Sequence, residues 1–400
     1  MPNLRSLAVT LETVTPLFLA GAQPRAKPEL RPPAFRGALR YWLRAALGGA
    51  LGDNAAAVGH AEAAVFGSPE ATQGGASAVT VRLRHGALPE AQAYQRGPTR
   101  TIPREGRPPL RQPTGRDYLY WSMAESGNRE RGNWQAAKQY YPAESTQFTL
   151  ELGLRPGARD DALNEALAAL WLLVQLGGVG SRSRRTAGSL SVREGVESGG
   201  LRFALAGSDP THLADELGAG LCRVREQFAP HGRTDVSVPT AFDVLHPAAC
   251  GVWLLGVWPT PRDAVEAVGA ALRDFRTYRE PDHQNVARWL QGAAIPTVER
   301  AAFGLPIPYR YANGSSGTVQ AQLDSRRIER RASPLWLHVS RTTEGKGVGI
   351  ATLFRARFLP EGAQLAAGGG RPTLPPPSDY QLIERWITES FPNAREARYV

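Results

Sequence analysis

The sequence predicts an α+β protein made of two tandem ferredoxin-like domains with arginine- and proline-rich insertions, at residues 1–200 and 201–400. Two observations support this fold class. Strand-like alternation and helix-like periodicity follow each other in the first half in the order β-α-β-β-α-β, which is the split βαβ arrangement. The second half repeats this style less clearly, and 400 residues are enough for two or three domains with separate cores.

The first half contains four predicted strands and two predicted helices. The strands are residues 4–13, 79–85, 147–154 and 189–196, and the helices are residues 34–47 and 161–176. On the first helix, Phe35 and Trp42 belong to the apolar stripe, whereas Arg36, Arg40 and Arg44 share a face roughly 130° away from it. This face points away from the core and can reach a phosphate chain, although a solvated helix face explains the spacing equally well.

Residues 177–190 join the second predicted helix to the last strand of the first half. They contain four glycines, three arginines and no acidic residue. Glycines allow close approach of the main chain to a ligand, and exposed N–H groups with guanidinium groups suit phosphate oxygens, so the loop is predicted to cradle an anion. Its helix-then-strand order excludes a P-loop or dinucleotide fingerprint. A flexible connection with solvated arginines is the plain alternative.

The net charge of +10 indicates an anionic partner, and nucleic acid is favoured over a membrane because no lysine-rich amphipathic helix is found. The two cysteines, Cys222 and Cys250, do not form a ligand set, so neither a structural zinc nor a disulfide framework is expected. No run approaches the roughly 18 apolar residues of a membrane span, and the first residues do not resemble a signal sequence. The expected location is the cytoplasm, with no cofactor and no metal.

A proline- and arginine-rich insertion is predicted at residues 94–121. A segment of this composition is not expected to bury itself, so it is either disordered or an arm that becomes ordered on a polyanion. Tyr118, Tyr120 and Trp121 at its end are predicted to fix the base of this arm, or to stack on bases.

The second half contains a further set of predicted elements and an arginine-rich segment. The strands are residues 201–205, 252–257, 335–341 and 350–358, and the helices are residues 209–228, 261–278, 284–290 and 379–391. The arginine-rich segment occupies residues 326–331, just before the strand at 335, and it includes Arg326, Arg327 and Arg330.

Several blocks of the sequence together resemble the motifs of a known superfamily. They are TPLF (15–18) with Gly21, ELRPPAFRGALRYWLR (29–44), FG (66–67), the loop 177–190, FGLP (303–306) and RRASPL (330–335). In this order the blocks resemble the RAMP superfamily, specifically subunit one of CRISPR type III-B (Cmr) effector complexes. The resemblance spans nearly the whole chain.

The resemblance implies a pair of ferredoxin-like (RRM-like, RAMP) domains and a place in an antiviral ribonucleoprotein. Members of this family bind guide (CRISPR) RNA near its 3′ end and target RNA, beside other RAMP subunits. They do not cut RNA, because target cleavage belongs to the repeated backbone subunit. The implied protein is therefore a non-catalytic RNA-binding subunit with no membrane partner.

The predicted RNA-binding residues come from three places in the sequence, and no catalytic residue is predicted. They are Arg31, Arg36, Arg40, Arg44, Gly178, Gly180, Ser181, Arg182, Arg184, Arg185, Arg326, Arg327 and Arg330. One alternative is a RAMP endoribonuclease that processes guide RNA, with His246 or His283 as the acid–base group, since each has an aspartate nearby. Another is a basic assembly protein whose arginines meet acidic proteins without direct RNA contact.

Overall fold

The computed structural model describes residues 5–69, 75–104, 107–192, 196–277, 279–311, 316–324, 326–367 and 371–399. The helices are α1 (Pro32–Leu51), α2 (Ala55–Phe66), α3 (Gly115–Leu119), α4 (Asp161–Leu176), α5 (Pro210–Phe228), α6 (Pro261–Arg276), α7 (Asp282–Leu290) and α8 (Gln381–Ser390), with short 3-10 turns at Ala229–His231 and Glu299–Phe303. The strands are β1 (Ser6–Thr13), β2 (Val79–Arg84), β3 (Gln92–Ala93), β4 (Arg100–Arg104), β5 (Arg107–Gln112), β6 (Gln139–Tyr140), β7 (Gln147–Leu154), β8 (Leu190–Val192), β9 (Glu197–Ser198), β10 (Leu201–Arg202), β11 (Cys250–Trp258), β12 (Ile307–Arg310), β13 (Ser316–Leu323), β14 (Arg326–Ile328), β15 (Leu335–Arg341), β16 (Gly347–Phe354), β17 (Gln364–Ala366) and β18 (Arg395–Glu396).

Two four-stranded antiparallel sheets organise this mixed α/β fold. The first has the order β2-β7-β1-β8, and the second has the order β15-β16-β11-β18. Numbered along each half of the chain, the strands of both sheets stand in the same order, second-third-first-fourth. A further small sheet contains β12, β13 and β14, with β17 also paired to β13.

Helices α1 and α4 lie between the two sheets. On α1, Phe35 packs on Phe148 of the first sheet at 5.1 Å between ring centroids, and Trp42 packs on Trp336 of the second sheet at 5.3 Å. From Ala162 to Leu176, α4 is buried on nearly every side, as its apolar sequence predicts for a helix covered all round. One continuous core therefore joins the two halves.

Strands β15 and β16 are buried on both faces. Their side chains alternate between two cores: Trp336 and Ile350 face the core shared with α1 and α4, whereas Leu337 and Leu353 belong to the core that includes α6 and α8. This explains why both strands are continuous apolar runs rather than alternating ones. The second sheet is thus a layer between two pairs of helices.

Helix α1 is longer than the predicted 34–47. It begins at Pro32, where the missing proline N–H costs nothing in the first helical turn, and it continues to Leu51. A Cβ on Gly49 would lie 2.3 Å from the carbonyl oxygen of Leu245, so this glycine lets the second half of the chain approach the helix closely. Helix α2, which follows directly, is not among the predicted elements; the Asn54 side chain caps it by accepting from the Ala57 N–H.

The expectation that residues 94–121 cannot bury themselves is wrong at Tyr94 and at α3, whereas the buried Tyr120 fits the anchoring role predicted for it. Tyr94 and Tyr120 are buried, and α3 packs on α6. A Cβ on Gly115 would lie 2.0 Å from the Glu266 carbonyl oxygen, and the Glu266 carboxylate accepts from the N–H groups of Gly115 and Arg116. Between these ends, β4 and β5 pair as an antiparallel hairpin. Helix α3 is held by α6 of the second half, and Tyr94 is held within the first half by its hydrogen bond to Asp117.

Several predicted ends differ from the observed ones. The strand predicted at 189–196 contains β8 (Leu190–Val192), and its residues 193–195 lie outside the described residues. The strand predicted at 201–205 contains the two-residue β10. The arginine-rich segment 326–331 includes a strand, β14, which pairs with β13. Short strands of this kind depend on a tertiary partner, which local alternation cannot show.

Candidate nucleic-acid interface

The loop of residues 177–190 packs between the connection after β1 and strand β15, with residues 177–179 and 186–190 buried, residues 181–185 partly exposed and Gly180 exposed. The Ser181 N–H donates to the Phe18 carbonyl at 2.9 Å, the Gly188 N–H to the Pro16 carbonyl at 3.0 Å, and the Thr186 N–H to the Leu337 carbonyl at 2.9 Å. These donors are already bonded within the chain. The predicted cradle of main-chain N–H groups for an anion is therefore wrong at these positions.

Gly178 and Gly180 are explained by the chain's own packing. A Cβ on Gly178 would lie 2.8 Å from the Ala187 carbonyl oxygen. A Cβ on Gly180 would lie 2.4 Å from the Phe18 carbonyl oxygen, and Gly180 has a φ of 89°, in the left-handed region that favours glycine. The close approach expected from these glycines is real, but the neighbour is main chain of this protein.

Arg184 ties the loop to the second half. Its guanidinium group lies over the Trp336 ring at 4.6 Å from the centroid, donates to the Ser333 carbonyl and pairs with Asp243 at 3.3 Å. Asp243 also accepts from the Tyr41 hydroxyl of α1 at 2.6 Å. The resulting network joins α1, the loop and the second sheet, so Arg184 has a structural role.

Arg185 is similarly engaged. It donates to the Phe303 carbonyl at 3.3 Å, and its main chain forms a parallel bridge with Leu337. Burial, followed by the nearby positive charge of Arg276, lowers the pKa of the Arg185 guanidinium to about 9. It stays protonated at neutral pH, yet its position under Phe303 directs it into the protein rather than toward a ligand.

Arg182 lies on a different side of the loop, among other cations. It donates to the Ser122 hydroxyl at 2.9 Å, and burial with the charge of Arg330 lowers its pKa. Lys138 donates to the Ser181 hydroxyl at 3.0 Å, and burial with the charges of Arg25 and Arg182 lowers its pKa. We call Arg25, Lys138, Arg182 and Arg330 the basic cluster. Like charges held this close create a local positive potential that attracts anions.

Exposed aromatic rings flank the basic cluster. Trp121, next to the Ser122 that accepts from Arg182, is 60% exposed, and Trp134 is 38% exposed. Arg25 is bonded to Gln135 and Ala136, directly after Trp134. Within the chain, the guanidinium groups of Arg96 and Arg129 lie over the Trp121 and Trp134 rings, at 5.3 Å and 4.2 Å from the centroids. The exposed part of each indole suits stacking on a nucleobase, because every base offers a flat π-face.

The arginines of the first helix do not behave alike. Arg31 is exposed at the start of α1, 3.7 Å from Glu29. Arg40 pairs with the buried Glu62 of α2 and donates to the Gly67 carbonyl at 3.0 Å, so it helps to hold α2 on α1. Arg36 and Arg44 form no ion pair or hydrogen bond with the described residues. Contact between these two arginines and an anion stays a prediction.

The remaining predicted residues lie in the second half. Arg326 and Arg327 are exposed on β14, and Arg330 is exposed in the basic cluster. The sequence prediction missed Arg25 and Lys138. A signal was present, because Lys138 is one of three lysines and it follows a stretch containing Trp121 and Trp134 with no apolar periodicity.

Comparison with known proteins places this fold in a family. The model of the RAMP superfamily matches residues 10–191. The CRISPR system Cmr subunit Cmr1-2 of Pyrococcus furiosus is 30% identical over 189 residues, which are 46% of this chain and 92% of that protein. The chain belongs to the Cmr1 family of the RAMP superfamily. The Cmr1-1 subunit of the same organism is 29% identical over 182 residues, which are 46% of each chain.

For this Cmr1-family chain, structural similarity extends further than sequence similarity. The crystal structure of Cmr1 from Pyrococcus furiosus (apo form) superposes with a TM-score of 0.59 at 21% sequence identity, covering 98% of both chains. The fold is therefore shared over the second half as well. Among the residues described, no helix has the length and apolar character needed to cross a membrane, and no group of three or more His, Cys, Asp or Glu side chains could hold a metal ion.

Proposed function

We propose that this protein is a non-catalytic RNA-binding subunit of a CRISPR type III-B (Cmr) effector ribonucleoprotein that acts in antiviral defence. It contacts guide RNA near its 3′ end, target RNA, or both, beside other RAMP subunits. The observation that carries the proposal is the basic cluster, in which Arg182 donates to Ser122, the residue after the exposed Trp121. The match to a named Cmr subunit supports the complex in which this happens.

The chemistry of the basic cluster fits single-stranded RNA. Guanidinium and ammonium groups neutralise phosphates, and the counterions released on binding drive association in a salt-dependent way. Exposed indoles add stacking, which any base can supply, so contact is expected to tolerate many sequences. An acidic protein surface would meet the same cations but would leave the tryptophans unused.

We also propose that the two sheets belong to tandem ferredoxin-like domains, residues 1–200 and 201–400. Both sheets have the strand order second-third-first-fourth, and in each half helices connect the first strand to the second and the third strand to the fourth. RRM-type sheets of this kind recognise single-stranded RNA in other proteins. Here the cations of the basic cluster come from both proposed domains, since Arg330 belongs to the second.

Binding of a fluorescent 12-nucleotide single-stranded RNA, measured over a salt series, tests the proposal. For contacts to four to six phosphates, log K is expected to fall with log salt at a slope of about −3 to −4. The variant R182A/R330A removes two charges and is expected to reduce that slope by about 1.4 and to weaken binding.

The matched control is R223A/R262A, which also removes two exposed arginines but leaves the basic cluster intact. It is expected to bind RNA as the parent does. Equal losses in both double variants would indicate a diffuse effect of net charge. A flat salt response of the parent protein would contradict the proposed function.

A further inference from the structure

A cavity of about 840 Å³ lies between α1, α2 and residues 357–360 of the second half. Its walls combine cationic and aromatic side chains. They include Arg44, Arg331, Arg357, Tyr41, Phe242 and Phe358. The volume is within the usual range for small-molecule sites, which is roughly 300–1,000 Å³.

The two carboxylates of this cavity are already neutralised from within the protein. Glu62 is paired with Arg40, and Asp243 is paired with Arg184 at 3.3 Å and accepts from the Tyr41 hydroxyl at 2.6 Å. A buried carboxylate without such partners would repel an anionic ligand. With both charges compensated, the other cations of the wall set the potential of the cavity.

Those cations are Arg44, Arg331 and Arg357. Arg44 and Arg357 are exposed, and Arg44 has no ion pair or hydrogen bond within the described ranges. Arg331 donates to the carbonyls of Phe358 and Arg357, which fixes its guanidinium group at the wall. A guanidinium fork matches phosphate oxygens in charge and geometry, so this side of the cavity suits a phosphate.

The other side of the cavity offers flat apolar surface. Tyr41, Phe242 and Phe358 contribute rings, and the Tyr41 ring also packs on Trp336 at 4.9 Å, which fixes its orientation. A nucleobase needs a surface of this kind for stacking. A simple inorganic anion would contact only the cationic side of the cavity, whereas a nucleotide would contact both sides.

We propose that this cavity binds one nucleotide, with its phosphate on Arg44 and Arg357 and its base among Tyr41, Phe242 and Phe358. This inference rests on the proposed function where the nucleotide belongs to an RNA strand; a free mononucleotide offers the same chemistry. Arg331 on the wall follows Arg330 of the basic cluster directly in sequence. Arg331 therefore links the wall of the cavity to the basic cluster along the chain.

Two probes distinguish the sources of the nucleotide. The first is a 12-nucleotide single-stranded RNA carrying 4-thiouridine at each position in turn, with crosslinked peptides identified by mass spectrometry. The second is AMP, titrated calorimetrically. The variant R44A/R357A is expected to weaken binding of a probe that uses the cavity by about 10- to 100-fold, as for loss of one or two charged hydrogen bonds.

Both substitutions are on exposed side chains, so the variant is expected to fold, which thermal unfolding checks. R223A/R262A again serves as the matched control, with no effect expected on either probe. Crosslinks from one preferred RNA position to peptides containing Tyr41, Phe242 or Phe358 would support an RNA nucleotide in the cavity. Binding of AMP that R44A/R357A weakens, without such crosslinks, would support a free nucleotide.

The cavity proposal is overturned if R44A/R357A leaves both probes unaffected, or if neither probe reaches the cavity. The proposed function is judged separately, by RNA binding of the parent and of R182A/R330A. If the protein binds RNA through the basic cluster and fails both cavity tests, the proposed function stands and the cavity proposal is wrong.

Discussion

At the scale of single residues, the three arginines of the loop 177–190 differ in what surrounds their guanidinium groups. Arg184 donates to the Ser333 carbonyl and pairs with Asp243, whereas Arg182 lies among cations beside a serine hydroxyl. Arg185 donates from Nη2 to the Phe303 carbonyl, and its Nη1 is buried without a hydrogen-bond partner among the described residues. A guanidinium already satisfied by the protein gains little from a phosphate, because it must first give up its partners. Arg182 is therefore the loop arginine best suited to RNA.

Gly180 is expected to matter for stability rather than for ligand contact. G180A adds a methyl group against the Phe18 carbonyl at a left-handed φ, and we expect a loss of about 2–4 kcal/mol in the free energy of unfolding, measured with urea. G157A is the control, since Gly157 has a φ of 77° with no atom near the new methyl group, and it should cost about 1 kcal/mol. Equal losses would show that the contact with Phe18 is unimportant.

His338 is expected to make stability depend on pH. It is buried, its Nδ1 lies 2.6 Å from the Gly177 carbonyl, and burial lowers its pKa from 6.5 to about 4. In the unfolded chain, the His338 imidazole is protonated below about pH 6.5, whereas in the folded protein it is protonated only below about pH 4. The folded state is therefore less stable as the pH falls through this window.

Between pH 7 and pH 5 this difference in proton binding corresponds to about 2 kcal/mol of unfolding free energy. H338Q removes the titrating group, so the loss of stability over this pH range should be smaller by that amount in the variant. Urea unfolding at each pH measures it. Parallel pH curves for the parent and H338Q would contradict the assignment.

At the scale of elements, helix α4 and the loop that follows it connect the two halves. The helix is covered by both sheets, and the loop then adds main-chain and side-chain bonds to β15. Because the loop is held from both sides, its conformation is fixed before any ligand arrives. The surface that carries Arg182 is thus preorganised, which reduces the entropy cost of binding.

R184A is expected to weaken the link between the halves. It removes the stack on Trp336 and leaves Asp243 without its guanidinium partner, so we expect a loss of about 2–3 kcal/mol in unfolding free energy. R182A should cost less than about 1 kcal/mol, yet weaken RNA binding. The opposite pattern, with R182A unstable and R184A defective in RNA binding alone, would reverse the two roles.

At the scale of the whole molecule, cations on both halves converge while the carboxylates near them are paired inside the protein. Arg330 and Arg331 belong to the second half, and Arg182 and Arg44 belong to the first. Binding across such a junction depends on the two halves keeping their relative position. The shared core around α1 and α4 provides that rigidity.

The isolated protein is expected to have no ribonuclease activity. His246, one of the two candidates from sequence, lines a separate cavity with Arg225 and Asp235, where burial and the charge of Arg225 lower its pKa. Neither His246 nor His283 adjoins the basic cluster in the contacts described. Incubation with labelled RNA tests this; cleavage that persists through purification and disappears in H246A or H283A would contradict it.

Much of the element order could be predicted from local sequence. The alternation in β1 and β7, the apolar character of α4 and the charged face of α1 follow from side-chain periodicity alone, because strands and helices repeat every two and 3.6 residues. The arginine face also survives in part, since Arg36 and Arg44 remain unpaired in the described residues. The family motifs were equally local, and the comparison with Cmr1-2 confirmed the family.

What only the tertiary structure decided is the partner of each polar group. The sequence placed glycines and arginines together at 177–190, but it could not show that Phe18, Asp243 and Leu337, all distant along the chain, would occupy their donors and fill the space beside the glycines. The sequence also could not show that Arg25, Lys138 and Arg330 lie near Arg182 in the folded protein. The physical reason is that periodicity acts over a few residues, whereas burial and charge depend on whatever the folded chain brings within a few ångströms.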